Sequence, residues 1–188
     1  MSNEPNPDWY ELLRNLPWQG ELAIDGFATM PGAGGVYMLH ATVGGRERAT
    51  IVRARGDDKD GVLLIGESKH LARRGRTLAA AMRWSGGTKT TPPHRPGLEY
   101  SFGWGYDFAR RFPLEDVRLR YLERDDHELL EAGLLERYRW EFLDRPPLNS
   151  SNGNWRNHKR IAGWLKLGRL SRRSGTRRTW TEGTEPRE

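Results

Sequence analysis

Apolar positions in this chain fall in short runs, broken by glycine, proline and charge. GVYML, residues 35–39, is rich in β-formers and bounded by glycines, which predicts a strand. VLLIG, residues 62–66, is a continuous apolar run of strand length, as expected of a strand buried on both faces. VRLRYLE, residues 117–123, alternates Val117, Leu119 and Tyr121 with Arg118, Arg120 and Leu122, which predicts a half-buried strand with its arginines outward. Longer mixed segments predict helices. One spans 8–16, between Pro7 and Pro17. A second runs from Ser68, read as its N-cap, to about residue 84. A third covers about 126–143, opened by a capping box of Asp125 and Glu128 and closed by Pro146 and Pro147.

The intervening segments carry turn chemistry. Residues 27–34 are a turn-rich lead-in, and Gly44-Gly45 sits between β-branched runs as in a hairpin. RGDDKDG, residues 55–61, reads as a polar turn. Residues 85–100 read as a loop, and the aromatic stretch 101–108 as a strand or an ordered loop. The order strand, strand, helix, strand, helix predicts a small α/β or α+β fold: a three-stranded, mostly antiparallel sheet flanked by helices. Three parts are expected: an N-terminal helical extension (1–26), a central domain (27–154) and a basic, partly flexible tail (155–188).

Composition narrows the function classes. The 188 residues contain no cysteine, which excludes disulfides and thiolate metal sites. No apolar run approaches membrane-spanning length, and the first residues lack the pattern of a secretory signal. A soluble, cytoplasmic protein without a membrane partner is expected. The net charge of +6 is uneven: residues 155–188 hold ten basic and three acidic residues, so the preceding chain is close to neutral. A basic tail interleaved with Trp155, Trp164 and Trp180 points to an anionic partner, most commonly nucleic acid. Arg156, Lys159 and Arg160 are its leading candidate phosphate contacts.

Four short motifs then fall in one order. Gly35-Val36-Tyr37 lies in the first strand, and Leu64-Ile65-Gly66 in the second. Arg74 follows Gly66 by eight residues, and Glu136 precedes a Pro pair and Asn149. This arrangement resembles the GIY-YIG nuclease superfamily over roughly residues 30–150. The resemblance implies a metal-dependent DNA endonuclease that hydrolyses phosphodiester bonds, using Mg²⁺ or Mn²⁺. Glu136 matches the metal-holding carboxylate, as a hard cation requires, and Glu131 is the alternative on the same helix. Arg74 matches the guanidinium that pairs phosphate oxygens. Tyr37 matches the candidate base, and Asn149 a supporting polar residue that organises the turn beside the site.

By the same resemblance Lys69, Arg73 and Arg76 surround the phosphate-binding helix, and Gly66 ends its strand where a phosphate approaches the backbone. Two departures stand out. Leu64 occupies the position of the second motif's tyrosine, and Leu78 the position where some members carry a histidine. His70, His94 and Lys69 are candidates to replace them. The small size resembles restriction-type members, for which duplex DNA and a homodimer or transient higher oligomer are expected. The alternatives are a catalytically inactive nucleic-acid-binding module of the same fold and, third, an RNA-directed nuclease.

Overall fold

The computed structural model describes residues 9–84, 94–102 and 108–149. Helix α1 (Trp9–Asn15) leads into strand β1 (Gln19–Leu22) and a 3₁₀ turn, Ile24–Thr29. Strand β2 (Gly35–Val43) is followed by the short strands β3 (Glu47–Arg48), β4 (Ile51–Val52) and β5 (Asp57–Asp58). Strand β6 (Val62–Ser68) then delivers the chain to helix α2 (Leu71–Met82). Helices α3 (Arg95–Phe102) and α4 (Phe108–Arg111), strand β7 (Val117–Glu123) and helix α5 (His127–Phe142) complete the order.

The fold is α+β with an antiparallel sheet. Strand β2 is central, with β7 on one side and β6 on the other. Tyr37 faces Gly66 across one ladder and Tyr121 across the other. The sheet is wider than the three predicted strands. β1 adds to β7, and β3 returns beside the end of β2 through the Gly44-Gly45 turn, pairing Val43 with Glu47. All pairings are antiparallel.

Both sheet faces are covered, which explains the apolar runs 35–39 in β2 and 62–66 in β6. On one face Tyr37, Leu39 and Leu119 pack with Phe27, Leu71, Leu78 and Tyr100. On the other Val36, Met38 and Ile65 pack with Leu130, Leu134 and Tyr138 of α5 and with Trp9 and Leu12 of α1. Residues 9–26 thus contribute a fully buried Trp9 and an edge strand to the body. Trp9 meets the Tyr138 ring edge-on at 5.2 Å between centroids, a favoured aromatic geometry.

Several local expectations change. Strand β6 runs past Gly66 to Ser68, and His70 occupies the N-cap position of α2. Ser68 still serves the junction, since its hydroxyl accepts from the His70 N–H and donates to the His70 carbonyl. The first free N–H groups of α2 donate to Pro31 and Ala33 carbonyls of the lead-in. Helix α5 starts without a capping box: Asp126 is the cap, and its carboxylate is held by Arg124 at 2.7 Å.

Residues 95–102 are helical rather than loop, because Pro96 falls in the first helical turn, where its missing N–H has no intrahelical acceptor to lose. The arginines of β7 are not directed to solvent either. Arg118 donates to Glu115 and Gly45 carbonyls, and Arg120 stacks under Trp18 at 4.8 Å. The polar turn before β6 is pinned by fully buried Asp58, which accepts from Val62 N–H, Asp60 N–H and the Tyr138 hydroxyl. Among the described residues no helix is long and apolar enough to cross a membrane.

Candidate functional site

The register of β2 against β6 creates the centre of the site. Because Gly66 stands opposite Tyr37, the tyrosine ring can lie across the neighbouring strand. A Cβ at Gly66 would overlap the Tyr37 ring and hydroxyl. The glycine therefore makes room for the Tyr37 side chain, where the sequence suggested an approaching phosphate. Leu64, two residues earlier, is packed in the core on the same face as Tyr37.

Arg74 comes from the end of the first turn of α2, whose close approach to the 3₁₀ turn depends on Gly75: a Cβ there would overlap the Phe27 carbonyl. Arg74 is half-buried, whereas Arg73, Arg76 and Lys69 are exposed around it. His94 reaches Tyr37 from the start of α3, with its Nε2 3.5 Å from the hydroxyl. Its Nδ1 accepts the Gly97 N–H at 3.2 Å. In a neutral ring the proton then resides on Nε2 and is directed at the Tyr37 oxygen. Burial, and after it the charge of Arg74, lowers the His94 pKa to about 4. The ring is therefore neutral at physiological pH, and it serves as a donor rather than a base. His70, the other candidate helper, is exposed, and its Nδ1 contacts the Gly32 carbonyl.

The carboxylate that joins this group is Glu131. Burial raises its pKa to about 7; Glu67 and Glu128 push the same way, and Arg74 opposes. The Tyr37 phenol is raised well above its ordinary range by burial, with Arg74 opposing and Glu131 and Glu67 reinforcing. Tyr37, Arg74, Glu131 and Glu67 thus act on one another at the Gly66 end of β6. Glu67 also lies in ion-pair contact with His127 at 2.7 Å, without the alignment of a hydrogen bond.

Glu136 does not join them. It lies five residues further along α5, about 140° around the helix from Glu131, and its carboxylate pairs with exposed Arg139 at 3.6 Å. The helix buries residues on most of its circumference, so the sequence pattern did not separate the two glutamates.

Asn149 holds the edge of β6. Its Oδ1 accepts the Ile65 N–H at 2.9 Å, and its Nδ2 donates to the Ile65 carbonyl at 2.7 Å. With Leu148 N–H donating to the Leu63 carbonyl, residues 146–149 lie along that edge like a short added strand. Both ends of the Asn149 amide are engaged, so it positions the residue before Gly66 and leaves the chemistry to others. Arg156, Lys159, Arg160 and the tail tryptophans lie outside the described residues.

No family model, curated protein or solved structure matches this chain.

The donor set bears on metal binding. Among the described residues, no three His, Cys, Asp or Glu side chains converge as a ligand set. A zinc-type site is therefore not built there. A Mg²⁺-type ion makes a smaller demand, since it keeps several waters and takes one or two carboxylates. Glu131 and Glu67 repel one another across partly buried surroundings, and Glu67 Oε2 is buried without an aligned hydrogen-bond partner. Two carboxylates match the donor number such an ion takes, although Glu67 Oε2 already contacts His127 Nδ1 at 2.7 Å.

Proposed function

We propose that the protein is a divalent-metal-dependent endonuclease that hydrolyses DNA phosphodiester bonds, with a GIY-YIG-like arrangement of the site. The observation that carries this reading is the grouping of one phenol, one guanidinium and a carboxylate pair, drawn from β2, α2, α5 and β6, around the end of one strand. The motif order in the sequence is its second support.

In this reading Glu131, with Glu67 beside it, would hold the cation in place of Glu136. The cation would supply Lewis acidity to the phosphate and counter the carboxylate charges that add to burial in keeping the phenol protonated. Arg74 pairs two oxygens of the phosphate as charge accumulates there. His94 presents its Nε2–H to the Tyr37 oxygen, a contact that lowers the cost of a phenolate. Tyr37 accepts a proton from the attacking water. His94 thereby occupies, from another helix, the supporting role left open by Leu78. Lys69, Arg73 and Arg76 line the approach as phosphate contacts, and the basic tail adds salt-sensitive affinity.

The second reading, an inactive binding module, is favoured by two observations: Leu64 is part of the core where a hydroxyl is expected, and burial holds Tyr37 protonated. Relaxation of supercoiled plasmid in Mg²⁺ or Mn²⁺ separates the two. The nuclease reading predicts nicking that stops in EDTA and falls at least about a hundredfold in Arg74→Ala. Binding of the plasmid with no nicking in either metal would establish the module instead.

A further inference from the structure

A concave surface lies along the same strand edge, apart from the Tyr37 site. It encloses about 780 Å³ and is lined by Arg53, Arg111, Arg139 and Arg145, with Asp144 as its one acidic residue. That volume is within the range that encloses a ligand of nucleotide size. Arg53 is committed to the wall, where it donates to Asp144 at 2.7 Å and to the Arg145 carbonyl. Arg111, placed over the Phe112 ring at 5.4 Å, and Arg139, loosely paired with Glu136, are both exposed.

Two apolar residues of the lining are open, over a floor of buried Ile51 and Phe112. Val52 is 72% exposed and Leu143 60% exposed. Leu143 also adopts a left-handed backbone at φ 52°, a conformation that costs a branched side chain energy and that glycine would relieve. A strained, solvent-facing leucine beside arginines suits a planar apolar ligand attached to phosphate.

Asn149 joins the two sites. It lines this groove and bonds both backbone groups of Ile65, next to Gly66 and the Tyr37 ring. A chain leaving the phosphate at Arg74 along the β6 edge would therefore run into the groove.

We propose that the groove is a DNA subsite that holds one strand beside the reacting phosphate, with a nucleotide taken out of the base stack: phosphates on Arg111 and Arg139, base against Val52 and Leu143. The proposal deepens the nuclease reading and rests on it for the identity of the ligand. Guanidinium forks and an apolar floor match a nucleotide better than an acidic peptide, which would leave the floor unused.

The test uses the full chain and duplex DNA carrying 2-aminopurine, in EDTA so that nothing is cut. Arg111→Ala with Arg139→Ala should weaken binding about tenfold and lower the log–log salt slope by about two. Leu143→Asp should abolish the rise in 2-aminopurine fluorescence that reports an unstacked base. Arg46→Ala, on the exposed β2–β3 turn, is the control and should leave both readouts unchanged. Unchanged affinity and slope in the double variant would overturn the subsite, even if Mg²⁺-dependent cleavage is intact. Equal weakening by Arg46→Ala would also overturn it, as would a wild-type dimer that dissociates in the double variant while DNA affinity holds. Wild type that binds no DNA overturns both the subsite and the nuclease reading. Absence of wild-type plasmid cleavage in Mg²⁺ or Mn²⁺, with the groove effects in EDTA preserved, overturns the nuclease reading alone.

Discussion

Glu131 carries the sharpest consequence at the scale of single residues. Its carboxyl holds a proton to about pH 7 in the fold, against 4.5 ordinarily. A raised pKa means that the folded chain binds the proton more tightly than the unfolded chain. The resulting stabilisation is full below about pH 4.5 and is lost as pH rises through 7. Glu131→Gln removes this dependence. In metal-free urea denaturation, wild type should lose about 3 kcal/mol relative to Glu131→Gln between pH 4 and pH 8. A difference that stays flat over that window would show that Glu131 is not held as described. Tyr37 and His94 add a division of labour. Burial first of all holds the phenol protonated, with Glu131 and Glu67 adding to it, and burial with Arg74 holds the imidazole neutral.

At the scale of elements, the site depends on how closely two backbones approach α2 and β6. Gly75→Ala would ordinarily stabilise a helix interior by about 1 kcal/mol. Here the added methyl meets the Phe27 carbonyl, so overpacking reverses the sign. The variant should unfold at lower urea concentration, by about 1–3 kcal/mol, and should lose phosphate affinity as Arg74 shifts. A stabilised variant would contradict the packing of α2 against the 3₁₀ turn. Asn149 makes the corresponding link on the other side of β6. Asn149→Ala removes both bonds to Ile65 and should cost about 2 kcal/mol by thermal or urea denaturation. A cost near zero would mean that residues 146–149 do not hold the strand edge.

The molecule as a whole shows what its sequence made legible. The three long strands were readable because β2 and β6 are buried on both faces and are apolar over residues 35–39 and 62–66, while β7 keeps a period of two. The order of these three strands and of α2 and α5 followed from those runs, while the register that sets Tyr37 opposite Gly66 emerged only in the fold. Helix α3 was hidden by Pro96 and Gly97, which resemble loop residues unless the first helical turn is already known. β1 was hidden because its four residues carry little apolar content; three are exposed, and its pairing depends on β7. The choice between Glu131 and Glu136 was not legible at all. Helix α5 buries residues on several sides, so the face that meets the β6 edge is set by tertiary packing. His94 was legible only as a candidate, since its place beside Tyr37 depends on the packing of α3 against α2.

The central claim is that one carboxylate of α5, Glu131, serves a reacting phosphate while its neighbour Glu136 does not. Paired plasmid-cleavage rates in Mg²⁺ for Glu131→Gln and Glu136→Gln test it most directly. Glu131→Gln is predicted to lose at least about a hundredfold in rate, and Glu136→Gln to stay within about threefold of wild type. Full activity in Glu131→Gln, or collapse in Glu136→Gln with Glu131 intact, would contradict the account.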